Sequence, residues 1–175
     1  FCIAEGFLAL PSTLFDGTGT PWVRKILEKR GVPATHTSVA GMEVCRNKDE
    51  TYQALAANNI RVPAHFTIRP EAGSIDQQLK AIEEMMQFPL FVKPCAGGNS
   101  IGISEKSIVN NPRELEEQVY FLLEDLGDLP ILVETYLPGQ EYTIGIIGNE
   151  EKTVLPILAF PRDEKVRSFQ VKKTS

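Results

Sequence analysis

Strand and helix signals alternate along this chain, which predicts an α/β or α+β fold. Two kinds of observation carry that reading. Short apolar runs closed by proline, such as Leu90-Phe91-Val92 between Pro89 and Pro94, read as buried strands. Between such runs lie segments with apolar residues at helical spacing and a capping residue in front. No internal repeat or low-complexity stretch interrupts the alternation.

Taken in order, Phe1-Cys2-Ile3-Ala4 reads as a strand that ends at Glu5-Gly6, and Pro11 to Pro21, with Gly17 and Gly19, reads as a loop. Trp22, Val23, Ile26 and Leu27 recur at helical spacing until Gly31 and Pro33 stop them. A second helix is predicted from about Lys48 to Asn58, with Asn47 as N-cap and Glu50 at its third position. A short strand, His65 to Ile68, follows Pro63. Ser74 with Gln77 reads as a capping box in front of an apolar face of Ile75, Leu79, Ile82 and Met86. After the strand Pro89 to Pro94 comes a glycine-rich turn, Ala96 to Gly102. Asn111, Pro112 and Glu114 open another helix, with Leu115, Val119, Leu122 and Leu123 on its apolar face. Ile131-Leu132-Val133 is a strand, and Glu141 to Ile147 with Thr153 to Phe160 form a hairpin turning at Gly148-Asn149.

The 175 residues are 42% hydrophobic and 23% charged, an ordinary globular composition that excludes extensive disorder. A net charge of -5 argues against a dedicated nucleic-acid binder. Three scattered cysteines, Cys2, Cys45 and Cys95, make no disulfide framework, so a reducing cytoplasm is the expected location. No apolar run approaches the roughly 20 residues of a membrane span, and no signal peptide opens the chain. The chain begins without Met and ends in the polar stretch Val166 to Ser175, so it is expected to be an interior piece of a longer protein.

Two segments carry candidate chemistry. Lys93 ends a rigid apolar strand, and Gly97-Gly98-Asn99-Ser100-Ile101-Gly102 follows within four residues. Glycines let backbone N–H groups approach an anion closely, and Ser100 adds a hydroxyl, so the pair suits phosphate. The alternative is a strand-end lysine reaching for water beside a turn. The second segment is Val133-Glu134-Thr135-Tyr136-Leu137-Pro138-Gly139-Gln140-Glu141. Backbone groups freed there can pair with a planar base edge, and a carboxylate can accept sugar hydroxyls; the alternative is an ordinary connection with two solvated glutamates.

The ordered set resembles the ATP-grasp superfamily, and within it the D-alanine–D-alanine ligase group: Lys48, then Phe91-Val92-Lys93-Pro94, the turn Gly98-Asn99-Ser100-Ile101-Gly102-Ile103-Ser104, then Val133 to Glu141. The resemblance implies a partial ATP-grasp fold. Residues 1–45 would be the tail of an N-terminal α/β domain, 46–124 the central subdomain and 125–175 the start of the C-terminal one, with ATP between the last two. It implies that Lys48 and Lys93 meet the phosphates and that Gly97, Gly98, Ser100 and Gly102 belong to a loop closing over them. It further implies that Glu134 and Leu137 bind adenine, that Glu141 binds the ribose hydroxyls, and that Lys172, in Phe169-Gln170-Val171-Lys172, meets the outer phosphates. Lys93 and Lys172 are the catalytic candidates, and no residue is assigned to metal.

The implied reaction joins a carboxylate to an amine through an acyl phosphate at the expense of ATP, on small amino-acid substrates. Mg²⁺ is the implied metal, with its ligands expected beyond Ser175, so the fragment alone is expected to be inactive; homodimerisation is left open. This chain departs from the group's pattern at Glu5, Asn99 and Lys173, where His, Ser and Tyr are common, which concerns the amino-acid side of the site. The alternatives are another ATP-grasp amino-acid ligase, a non-catalytic nucleotide-binding module, or a scaffold without ligand. Cys95 reads as a packed small residue, His36 and His65 as structural, Gly17-Thr18-Gly19 as loop geometry, and Glu83-Glu84 and Glu116-Glu117 as solvated helix faces.

Overall fold

The computed structural model describes residues 19–34, 37–98, 100–148 and 150–160. Within them five helices and eight strands alternate broadly as the sequence predicts. The opening strand, His36, Gly17-Thr18-Gly19 up to Thr18, Asn99 and Phe169 to Lys173 lie outside the described residues.

Helix α1 spans Gly19–Lys29, two residues earlier than the loop reading of Pro11 to Pro21 allowed. Pro21 fits there because the first turn of a helix needs no N–H from it. Gly31, at φ +63, ends the segment as expected. Helix α2, Val39–Arg46, was not predicted; Ser38 caps it, its hydroxyl accepting from the Gly41 N–H. It packs against both α1 and α3.

Helix α3 runs Lys48–Ala57, and the Asn47 side chain accepts from the N–H groups of Asp49 and Glu50, as its cap position requires. Helix α4, Ile75–Met85, starts after Ser74, but the hydroxyl makes no capping bond. The predicted capping box with Gln77 therefore does not form. Instead the Gln78 amide brackets Arg69, accepting from its N–H and donating to its C=O at 2.9 and 3.0 Å. Helix α5, Pro112–Leu126, has Asn111 as a working N-cap and proline in its first turn.

A four-stranded sheet forms the centre. Its strands are β1 (His65–Ile68), β2 (Leu90–Pro94), β3 (Ile108–Val109) and β4 (Ile131–Thr135), in the order β1-β4-β2-β3. All three pairings are antiparallel. Period-two alternation sorts the side chains. Leu90, Val92, Ile131, Val133 and Ile68 join Leu79 and Ile82 of α4 and Leu115, Val119 and Leu122 of α5 in one core. Ile75, Met86 and Leu123 pack against it, as the apolar faces read from the sequence require. The opposite face carries His65, Thr67, Phe91, Lys93 and Glu134, and α3 lays its side chains against it.

The last predicted hairpin forms in two pieces. Tyr142–Thr143 (β5) pairs with Leu158–Ala159 (β8), and Ile146–Ile147 (β6) with Thr153–Val154 (β7). Between the pieces, residues 144–145 face residues 155–157, so the second strand bulges at Pro156, which has no N–H for the ladder.

Candidate functional site

Lys48 is the first residue of α3, and local hydrogen bonds fix that helix end against the chain leaving β2. The Lys48 N–H donates to the Cys95 C=O at 2.9 Å, and Asn47 forms a bridge with Ala96. The Cys95 thiol donates to Asn47 Oδ1 at 3.0 Å. Cys95 is thus a buried packing residue, with its ionisation held up mainly by burial. Folded this way, the Lys48 ammonium turns onto three backbone oxygens: Pro94 at 3.0 Å, Gly97 at 3.4 Å and Cys95 at 3.5 Å.

Lys93 projects from β2 on the polar face of the sheet. Its register partner on β4 is Leu132, while Glu134 stands opposite Phe91, two positions along. Alternation puts Lys93 and Glu134 on one face as diagonal neighbours, within reach of a long side chain. The Lys93 ammonium donates to Glu134 Oε1 at 2.6 Å, both side chains being mostly buried. Tyr52, one helical turn after Lys48, donates its hydroxyl to Glu134 Oε2, also at 2.6 Å. The Tyr52 ring meets His65 edge-on at 4.9 Å, and His65 Nδ1 lies 3.0 Å from the Pro63 C=O, so His65 is structural.

Lys48 and Lys93 therefore share one side of the molecule. Burial holds the Lys48 ammonium below the usual lysine value, and the nearby positive charge of Lys93 pushes the same way. Glu134 opposes this. Only Lys93 has a carboxylate within ion-pair distance; Lys48 has none among the described residues. Two ammoniums and one carboxylate leave an excess of positive charge, an arrangement that an anion relieves.

The glycine-rich turn borders the same place, since Lys48 is bonded to its first carbonyls. Gly97 has φ +101 and open space where a side chain would stand, and Gly98 is equally open and exposed. Ser100 is buried at φ +60. Gly102 has a different reason to be glycine: at φ +71, an added Cβ would come within 2.9 Å of Pro94 and 3.0 Å of Leu122. It lets the turn close onto α5.

Past β4 the chain leaves the sheet. Tyr136 stacks near Phe91 at 6.4 Å, and its N–H reaches the Pro89 C=O. Leu137 is 65% exposed, and its backbone makes no hydrogen bond among the described residues. Glu141 is exposed at the entry to β5. Glu134, by contrast, is 8% exposed and already engaged by Lys93 and Tyr52.

Residue-by-residue reading of the sequence passed over Tyr52 and Asp49. Asp49 is buried and accepts from Arg69 at 2.6 Å, Thr67 at 3.0 Å and Gln53 at 3.0 Å, tying α3 to β1. The signal for Tyr52 was its spacing of four from Lys48 on a helix already recognised.

With this geometry in place, comparison with known proteins decides the family. A family model described as "D-ala D-ala ligase C-terminus" matches residues 54–175. The chain belongs to this family. A D-alanine–D-alanine ligase of Natranaerobius thermophilus is 28% identical over 152 residues, covering 85% of this chain and 39% of its own. The crystal structure of the VanG D-Ala:D-Ser ligase from Enterococcus faecalis superposes with a TM-score of 0.76 at 25% identity, over 90% of this chain and 44% of that one. A D-alanine–D-alanine ligase from Bacillus anthracis complexed with ATP matches with a TM-score of 0.64 at 25% identity, over 87% of this chain and 47% of that one. The fold is thus a part of the ATP-grasp architecture these ligases share. This chain spans less than half the length of each of these three relatives.

The described residues fit the anionic part of a nucleotide, because unbalanced lysine charge and open glycine backbone meet at one place. They do not fit a magnesium site: no group of three or more His, Cys, Asp and Glu side chains that could hold a metal occurs among them. Among the described residues no helix is long and apolar enough to cross a membrane.

Proposed function

We propose that this chain is the nucleotide-binding part of an ATP-dependent carboxylate–amine ligase, with D-alanine-type amino acids as substrates. The observation that carries the reading is the convergence of Lys48 and Lys93 beside an open glycine turn, in a chain of this family.

The residues then divide the work. The Lys48 and Lys93 ammoniums hold phosphate oxygens and spread the charge that builds on a transferring phosphoryl group. Gly97 and Gly98 bring backbone close to the phosphates, and the segment to Gly102 shields them from water, which would consume an acyl phosphate. Leu137 offers an unpaired N–H and C=O to the edge of adenine, and Glu134 stands beside it as an acceptor for the exocyclic amino group. Glu141 is exposed for the ribose hydroxyls. Lys172 adds charge at the outer phosphates. The parent is placed in the cytoplasm, consistent with the free thiols of Cys45 and Cys95.

The test is ADP release by the full-length parent, supplied with ATP, Mg²⁺ and D-alanine, against panels of other amino acids. ADP formation that requires D-alanine supports the reading. ADP formation with other amino acids alone moves the assignment to a different ligase, and tight ATP binding without turnover on any pair moves it to a nucleotide-binding module.

A further inference from the structure

We propose that Tyr52 is a positioning residue that fixes the Lys93 ammonium for phosphate by locking the Glu134 carboxylate. This rests on the nucleotide-binding reading above and adds a residue that reading does not use.

The three groups form a closed chain of contacts. Glu134 is 8% exposed, and each of its oxygens has one donor: Lys93 Nζ on Oε1 and Tyr52 OH on Oε2, both at 2.6 Å. The Lys93 ammonium also lies 5.9 Å from the centre of the Tyr52 ring and 5.7 Å from that of Phe91. It is therefore held from two directions by one tyrosine, through the carboxylate and through the ring face. Tyr52 is itself fixed, on the same α3 as Lys48 and edge-on to His65.

The physical consequence concerns competition for Lys93. A carboxylate with both oxygens free turns and can present both to one ammonium, which withdraws that ammonium from any other anion. The phenol occupies Oε2, so Glu134 offers Lys93 one oxygen only. Two of the three ammonium protons stay available for phosphate. Burial first, and then the bond to Glu134, hold the phenol's ionisation well above its usual range, so Tyr52 remains a donor throughout neutral pH. An ordinary packing tyrosine at this point would need neither the short bond to Oε2 nor the ring beneath the lysine.

Tyr52→Phe removes the hydroxyl and leaves the ring. The measurement is the dissociation constant of ATP and of adenosine on the whole chain, by calorimetry or NMR titration, with thermal unfolding followed in parallel. For wild type, ATP binding tighter than adenosine binding is expected; no ATP binding at all overturns the nucleotide reading itself. In Tyr52→Phe, the ATP constant is expected to rise about tenfold, while the adenosine constant stays within a factor of two and the ATP preference shrinks accordingly. Equal loss for both ligands, or an unchanged preference, overturns the role of Tyr52 while leaving the nucleotide reading standing. A merely structural tyrosine would lower the unfolding temperature without moving the ratio. Should Tyr52→Phe fail to fold, Glu134→Gln serves in its place. It removes the charge through which Tyr52 acts, so the same fall in ATP preference is expected, and an unchanged ratio overturns the proposal.

Discussion

Replacing Lys93 with Met should destabilise the protein in the absence of any ligand, and the reason lies in the carboxylate it leaves behind. Met keeps the apolar stem near Phe91 and Tyr52, so little packing is lost. What is lost is the counter-charge of Glu134, 2.6 Å away, in a pair whose side chains are 14% and 11% exposed. Removing one partner of a buried ion pair costs about 3–5 kcal/mol. The Tyr52 hydroxyl still donates to Oε2, so the lower end applies, about 3 kcal/mol. Adding Glu134→Gln to Lys93→Met removes the stranded charge and should recover about 2 kcal/mol of that loss. Urea unfolding followed by circular dichroism measures both variants. The reasoning fails if Lys93→Met is as stable as wild type, or if the double variant is no more stable than Lys93→Met. The outcome also governs how binding data are read, because a Lys93 variant that loses ATP affinity must first be shown to be folded.

Three further outcomes follow from particular residues. Gly102→Ala should destabilise by about 2–3 kcal/mol, since it combines positive φ with overpacking against Pro94, Leu122 and Leu126; thermal or urea unfolding checks it. Asn111→Ala should lower stability by about 1 kcal/mol because its side chain caps α5, whereas Ser74→Ala, which breaks no capping bond, should change it by only about a few tenths; the two are compared in one denaturant series. Stability should fall on raising the pH above 10, because the unfolded Tyr52 phenol ionises there while the folded one keeps its proton. Tyr52→Phe should flatten that alkaline loss, by up to about 1.4 kcal/mol per pH unit, and unfolding at pH 9 to 12 measures it.

Elements with strong local chemistry were legible in the sequence. Asn111-Pro112 starts α5 because the amide caps it and proline suits the first turn. Pro89 and Pro94 bracket β2, and Asn47 caps α3. Helix α2 was not legible: Val39, Gly41 and Val44 are weak helix formers, and its neighbours α1 and α3 support it through packing. The hairpin was recognised but not its bulge at Pro156, which depends on which residues face each other.

The same distinction holds at the site. Lys93 and its glycine turn announce themselves over ten residues. That Lys48 meets them depends on α3 being bonded through its first residue to Cys95, 47 positions away. The diagonal pairing of Lys93 with Glu134 depends on strand register, which residue types alone do not display.

Lysine side chains report most directly on whether ATP lies where this arrangement puts it. With ¹³C-labelled lysine, the Lys48 and Lys93 signals can be assigned by substitution and followed as ATP is added. Both should shift together and saturate with one dissociation constant, while a lysine remote from the turn, such as Lys80 on α4, stays still. Shifts in only one of the two, or in neither while ATP binds elsewhere, would contradict a shared phosphate site.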